Sequence, residues 1–225
     1  MNPLERLISV LAPHRCINCG LEGGLLCDDC LHDAPIPKVP SCYRCNAQSD
    51  DFLTCKTCRR VTPLKHVWIV SRYEKTIKNL IWQMKFERAT QAALPLARVL
   101  DTALPYFPPD TLIVPIPTAT SRVRQRGYDQ SKLIARELAH LRKRLYCPLL
   151  QRLGQDQQLG KSRTERLRNL QSMFRVARPR LVRGAHVVLI DDVTTTGATI
   201  EAAARILRVA GAKTIDAAVV AKNRL

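Results

Sequence analysis

Acidic side chains and aromatic rings are scarce in this chain: 19 Asp and Glu stand against 36 Lys and Arg, and Phe, Trp and Tyr make up 5% of its 225 residues. The shortage of acids leaves a net charge of +17, a positive field that draws in polyanions such as phosphorylated metabolites or nucleic acid. The shortage of rings argues against an extended base-stacking platform. Long apolar runs are missing too. The longest stretch without a charged residue covers 111–121, well short of the roughly 18 residues that a membrane helix needs, and this excludes a transmembrane helix. The first 15 residues contain no small-residue cleavage site, and Glu5 and Arg6 interrupt their apolar stretch. They do not read as a secretory signal, so a cytoplasmic location is the expectation. Leu4, Leu7, Ile8 and Leu11 repeat at helical spacing, predicting a short amphipathic helix packed on its own protein.

What is present is enough for a core. Hydrophobic residues are 46% and charged residues 24% of the chain, which suits one medium domain with a small appendage. The charge is uneven: residues 1–60 hold 7 basic and 7 acidic side chains, whereas residues 122–183 alone hold 17 and 4. Composition also shifts near residue 60, because eight of the nine cysteines lie between Cys16 and Cys58. Two units are expected, a Cys-rich module over 1–62 and a larger domain over 63–225.

The eight cysteines form four CxxC pairs, Cys16/Cys19, Cys27/Cys30, Cys42/Cys45 and Cys55/Cys58. A two-residue gap lets both thiolates of a turn face one ion, and two such turns complete a tetrahedral sulfur site. A disulfide framework conflicts with a reducing cytosol; an iron–sulfur cluster is chemically possible. The favoured reading is two structural zinc ions with closed coordination, holding together a segment too poor in apolar residues to fold alone. Loop-closure entropy favours sequential pairing, the first four cysteines and then the last four. Cys147, outside the module and next to Pro148, reads as a core thiol.

Beyond the module, apolar runs alternate with amphipathic segments. Strands are predicted over 66–70, 112–116, 186–190 and 214–220, with helices over 74–86, 90–104 and 199–210. A further helix is predicted with Ile134, Leu138, Leu141 and Leu145 on one face. This order calls for an α/β fold, a parallel sheet covered by helices. The polar stretch 151–172 reads as a flexible loop. Within it Gly154 to Ser162 imitates a phosphate-binding P-loop, but its glycines are spaced by five residues instead of four, and no strand-to-helix context surrounds it.

The densest chemistry lies at 187–199. Four apolar residues, Val187 to Ile190, form a strand that leads to Asp191 and Asp192, then Val193, Thr194, Thr195, Thr196, Gly197, Ala198 and Thr199 before a helix. In open α/β sheets ligands bind at the carboxyl ends of strands. Backbone N–H groups, threonine hydroxyls and the helix N-terminus can enclose a phosphate dianion, with Gly197 allowing close approach. Adjacent carboxylates cannot hold phosphate, but they suit vicinal sugar hydroxyls and can support a magnesium shell. A sugar phosphate is the natural guest.

This pattern closely resembles the 5-phosphoribosyl 1-pyrophosphate (PRPP) signature of type I phosphoribosyltransferases. The resemblance implies that Asp191 and Asp192 hold the ribose 2′ and 3′ hydroxyls and that Thr194, Thr195, Thr196, Gly197, Ala198 and Thr199 bind the 5′-phosphate. It also implies a pyrophosphate loop beginning at Pro117 and Thr118, and a closing loop over 151–169 in which Lys161, Arg163 and Arg166 meet pyrophosphate. Magnesium would accompany PRPP, and fixed carboxylates and cations would stabilise an oxocarbenium-like transition state.

A multi-CxxC module joined to such a motif is similar to the ComF family of competence-associated proteins. Two more segments carry the likeness: Arg122-Val-Arg-Gln-Arg-Gly-Tyr-Asp-Gln130, near the family's Arg-Gly-Phe-Asn-Gln, and residues 160–169, near its Leu-Ser-Arg-x-x-Arg. Tyr128 and Asp129 stand where Phe and Asn are more usual. The resemblance implies a role in handling internalised DNA, as a phosphoribosyltransferase with a nitrogenous acceptor. The alternative is a non-catalytic adaptor that couples single-stranded DNA to uptake or helicase proteins. Arg122, Arg124, Arg126 and Tyr128 suit either, since cations beside a ring serve single strands and the same arginines serve pyrophosphate.

Overall fold

A computed structural model describes residues 14–32, 40–153 and 173–223. The expected N-terminal helix, the P-loop look-alike, and Lys161, Arg163 and Arg166 lie outside the described residues.

Two knuckles open the described chain, and they are built alike. In the first, Gly20 N–H donates to the Cys16 carbonyl at 2.8 Å; in the second, Asn46 N–H donates to the Cys42 carbonyl at 2.9 Å. Both turn residues sit at positive φ, 79° for Gly20 and 60° for Asn46, a region that Gly and Asn enter at low cost. Each knuckle is followed by one helical turn, α1 (Asp28–His32) and α2 (Lys56–Arg59), that starts directly after the first cysteine of the second pair and contains the other. The sulfur atoms of Cys16, Cys19, Cys27 and Cys30 converge in one group, and those of Cys42, Cys45, Cys55 and Cys58 in another, each group lying within 4.8 Å. This is the sequential pairing.

Strand β1 (Val67–Arg72) follows, then helices α3 (Lys75–Phe86) and α4 (Ala93–Ala103). Strand β2 (Leu112–Pro115) leads to a short α5 (Thr120–Arg126), α6 (Gln130–Leu141) and edge strand β3 (Leu145–Tyr146). A separate antiparallel pair, β4 (Leu150–Arg152) and β5 (Phe174–Val176), precedes α7 (Pro179–Val182). The long strands β6 (His186–Thr194) and β7 (Thr214–Lys222) flank α8 (Ala198–Val209). The main sheet is parallel throughout, in the order β1-β7-β6-β2-β3.

Two local expectations need correction. Leu145 does not continue the helical face: α6 ends at Leu141, Lys143 turns the chain at φ 51°, and Leu145 pairs with Leu112 as an exposed edge residue. The loop expected from 151 starts later, because Gln151 and Arg152 are held in β4 by pairing with Arg175 and Phe174. Long-range strand pairing overrides the local signal in both places, apolar helical spacing at Leu145 and polar composition at 151–152.

One core lies on each face of the sheet. On one face Ile77, Leu80, Leu96, Leu100, Ile134 and Leu138 pack with Ile113 and Ile190, and Cys16, Leu26 and Leu31 of the first knuckle join them. On the other, Ile200, Ala203 and Leu207 pack with Val187 and Leu189, joined by Tyr43 of the second knuckle and by Leu64. Each fully buried aliphatic side chain contributes roughly 1.5–3 kcal/mol. The first knuckle therefore packs on one face of the sheet and Tyr43 of the second on the other, while Phe52 of the second segment reaches the first core. Cys147 is partly buried against the second core, and burial pushes its thiol up, as suits a packing residue.

Candidate functional site

The chain leaves β2 toward α6 on one face and leaves β6 toward α8 on the other. Neighbouring parallel strands whose connections diverge create a crevice at their carboxyl ends. The turn after β2 and the turn after β6 line it.

The expected ribose residues do not follow the strand; they are its last part. Ladder pairing of β6 with β7 continues through Asp191↔Val219 and Thr194↔Lys222, so both carboxylates rest on rigid backbone. Asp191 Oδ1 accepts from the Ser131 hydroxyl and from the Asp192 N–H, each at 3.0 Å. Burial, and then the adjacent Asp192 charge, push the Asp191 carboxyl well above its usual range, against the pull of those hydrogen bonds. Asp192 Oδ1 accepts from Val193 N–H at 2.8 Å, and its Oδ2 lies 2.6 Å from Lys85 Nζ.

In the following turn Thr194 is buried, while Thr195, Thr196 and Ala198 are exposed and Thr199 is half-buried. Gly197 has φ 85° and caps α8. A Cβ there would come within 2.8 Å of the Tyr43 ring, so glycine is required both by the dihedral and by a ring from the second knuckle.

Opposite, Asp129 Oδ2 accepts from Thr118 N–H and Oδ1 from the Thr118 hydroxyl, both at 3.0 Å. Asp129 also caps α6 by accepting from Lys132 N–H. It thus ties the turn at Pro117 and Thr118 to a helix. Arg126 donates to Gln130 Oε1 at 3.0 Å and lies over the Phe86 ring. The Gln130 Nε2 is buried with no hydrogen-bond partner among the described residues. Arg152 donates to the Pro117 carbonyl at 3.4 Å and feels the charges of Asp191 and Asp129.

The structure brings together Asp191, Asp192, Thr194 to Thr199, Pro117, Thr118 and Arg126. Sequence reasoning missed Lys85, Ser131 and Arg152. Lys85 sits in an ordinary amphipathic helix and Ser131 in another, so neither had a local signal. Arg152 was absorbed into the expected loop. Trp82 and Phe86, 45% and 61% exposed, also stand one turn apart on α3 with ring centroids 5.6 Å apart.

A parallel sheet with adjacent carboxylates and a hydroxyl-rich turn at the switch point defines a phosphoribosyltransferase-type α/β protein. The pattern of the phosphoribosyl transferase domain family matches residues 93–224. The chain belongs to that family and, through its relatives, to the ComF group. It is 33% identical over 207 residues to DNA utilization protein YhgH of Salmonella typhi, covering 85% of this chain and 87% of the relative. Competence protein F of Haemophilus influenzae is 28% identical, over 90% of this chain and 94% of that one. Competence protein ComFC of Bacillus subtilis is 28% identical, over 74% and 70%. No helix among the described residues is long and apolar enough to cross a membrane.

Proposed function

We propose that this protein binds PRPP with magnesium at the crevice between the turns after β2 and β6, and serves in the cytoplasm in handling internalised DNA. The relatives' names, which speak of DNA utilization and competence, support the second half of that reading. The observation that carries the first half is the Asp191–Asp192 pair on the end of β6, directly followed by the turn at Thr194 to Thr199. The carboxylates accept from the ribose hydroxyls. The turn and the α8 N-terminus hold the 5′-phosphate. Thr118, Gln130, Arg126 and Arg152 face pyrophosphate, and the family resemblance assigns Lys161, Arg163 and Arg166 to the same ligand.

The hard oxygen donors at this end of the sheet suit magnesium brought in with pyrophosphate. In transfer, a nitrogen of the acceptor forms a bond to C1 of the ribose while the bond from C1 to the pyrophosphate oxygen breaks. Pyrophosphate leaves with both bonding electrons, and the cations stabilise its charge. The two four-cysteine groups fit zinc in both ligand chemistry and spacing. Backbone N–H groups support them: burial opposes ionisation of Cys16 and Cys42, yet N–H donors of the neighbouring turn bring each thiol down to about 6. Zinc there supplies cross-links and no open coordination position.

Phosphorus NMR of PRPP and Mg²⁺ with the protein, with and without nucleobases, tests the reading. Acceptor-dependent pyrophosphate is the result expected of a transferase; an unperturbed PRPP spectrum overturns PRPP binding.

The exposed Trp82–Phe86 pair, with Arg126 over the Phe86 ring, favours a second reading. It is a small stacking patch beside the crevice that suits bases of single-stranded DNA. As a non-catalytic adaptor, the protein would present that strand to uptake or helicase proteins. Oligonucleotide affinity that falls steeply with salt, and falls again in Trp82→Ala, is expected on this reading; absent or salt-independent binding removes it.

A further inference from the structure

The second four-cysteine knuckle is fastened to the turn that reads as the phosphate site. The Tyr43 ring, 3% exposed, fills the space beside Gly197 where a Cβ would stand. Its hydroxyl donates to Glu201 Oε1 at 2.7 Å and shares a 3.1 Å hydrogen bond with the Thr62 hydroxyl. Arg44 donates to the same Glu201 oxygen at 2.7 Å. From the other side Lys222 Nζ donates to the Tyr43 carbonyl at 3.0 Å and to Asn46 Oδ1 at 2.9 Å. Glu201 lies in the first turn of α8, and Lys222 pairs with Thr194. Gly197, which ends the turn at 194–197, thus packs directly against segment 43–46 of the knuckle, and Thr194, which begins it, is linked to that segment through its strand partner Lys222.

The contact also settles a charge problem. A carboxylate in the first turn of a helix opposes a phosphate bound at the same end. Tyr43 and Arg44 engage the Glu201 carboxylate and direct its charge toward the knuckle. The same knuckle carries Cys42 and Cys45, whose sulfurs converge with those of Cys55 and Cys58.

We propose that Tyr43 is a positioning residue that couples metal binding at Cys42, Cys45, Cys55 and Cys58 to the phosphate turn, so that occupancy of this one metal site sets PRPP affinity. The other cysteine group, packed on the opposite face of the sheet, has no such role. The coupling rests on the phosphate reading above for its ligand, but not for its mechanical half. Because linkage is reciprocal, PRPP must also hold the metal in the second group.

The test uses the full zinc-loaded chain. Hydrogen exchange of amides 195–200 is measured without PRPP in wild type, Tyr43→Phe and Tyr43→Ala. Exchange about tenfold faster in Tyr43→Ala is expected, with Tyr43→Phe, which keeps the ring, close to wild type. PRPP affinity should fall about tenfold or more in Tyr43→Ala while both zinc ions are retained. In wild type, which needs no variant to fold, chelator should remove zinc in two phases, and Mg²⁺ with PRPP should slow only one of them. Unchanged exchange at 195–200 in Tyr43→Ala overturns the coupling, as does PRPP slowing both phases or neither. If wild type binds no PRPP, the functional reading falls and exchange alone decides the mechanical coupling.

Discussion

Lys85 Nζ lies 2.6 Å from Asp192 Oδ2, with the two side chains 18% and 13% exposed, and this pair joins α3 to the end of β6. It gives Asp192 a counter-charge in direct contact, whereas Asp191 is met by the neutral Ser131 hydroxyl, so the two adjacent acids occupy different environments. Breaking a shielded pair costs more than the pair is worth, because one charge is left behind. Lys85→Met is expected to lower unfolding free energy by about 1–3 kcal/mol. Adding Asp192→Asn should recover most of that loss. A double-mutant cycle in urea measures the coupling, and strict additivity would refute it.

The raised Asp191 pKa has a consequence for stability. In the folded chain Asp191 holds its proton to a higher pH than in the unfolded chain, so this group's contribution is fully present below the unfolded carboxylate range. It is lost as pH rises through the elevated folded value. Asp191→Asn keeps an acceptor for Ser131 and removes the titration. Its melting temperature should exceed that of wild type by a few degrees near neutral pH, about 2–4 °C for each kcal/mol, and converge with it in acid. A thermal series across pH checks both limbs.

Extended to both acids, the substitution should weaken what the site binds. Asp191→Asn with Asp192→Asn strips the charge from both ribose acceptors and leaves each a single neutral one, and PRPP affinity is expected to fall at least about a hundredfold, since hydrogen bonds to charged groups contribute about 1.5–3 kcal/mol each. Calorimetric titration with Mg²⁺ present decides it; tight binding by the double variant contradicts the assignment.

Asp129 stands where the family's segment carries Asn, and it uses both carboxylate oxygens: Oδ2 accepts from Thr118 N–H, and Oδ1 accepts from the Thr118 hydroxyl and Lys132 N–H. Asp129→Ala should destabilise the protein by about 1–2 kcal/mol through the lost cap and loosen the turn at Thr118. Asp129→Asn should restore only part of this loss, because its single amide oxygen can replace Oδ1 or Oδ2 but its amide nitrogen cannot accept from a backbone N–H. Urea unfolding and PRPP titration together separate the cap from the turn.

Gly197→Ala meets two obstacles, a left-handed dihedral and the Tyr43 ring at 2.8 Å from the new methyl. A loss of about 1–3 kcal/mol is expected. Differential scanning calorimetry would show it, and a variant as stable as wild type would mean that the ring moves aside freely.

Much of this molecule was legible in one dimension because its strongest signals are local. The CxxC spacing encodes two tetrahedral sulfur groups, and the run from Val187 to Thr199 encodes strand, carboxylates and turn within 13 residues. Apolar periodicity over 74–86 and 199–210 is equally local, and the helices lie within a residue of those bounds. The tertiary structure alone decided what depends on residues distant in sequence. Lys85 reaches Asp192 and Ser131 reaches Asp191 only because α3 and α6 pack on the same face of the sheet. Arg152 became a strand residue through pairing with Phe174. Tyr43 reaches Gly197, far along the chain, because the second knuckle docks beside α8. Spacing along the chain records which groups can share one turn; only packing determines which distant groups share one site.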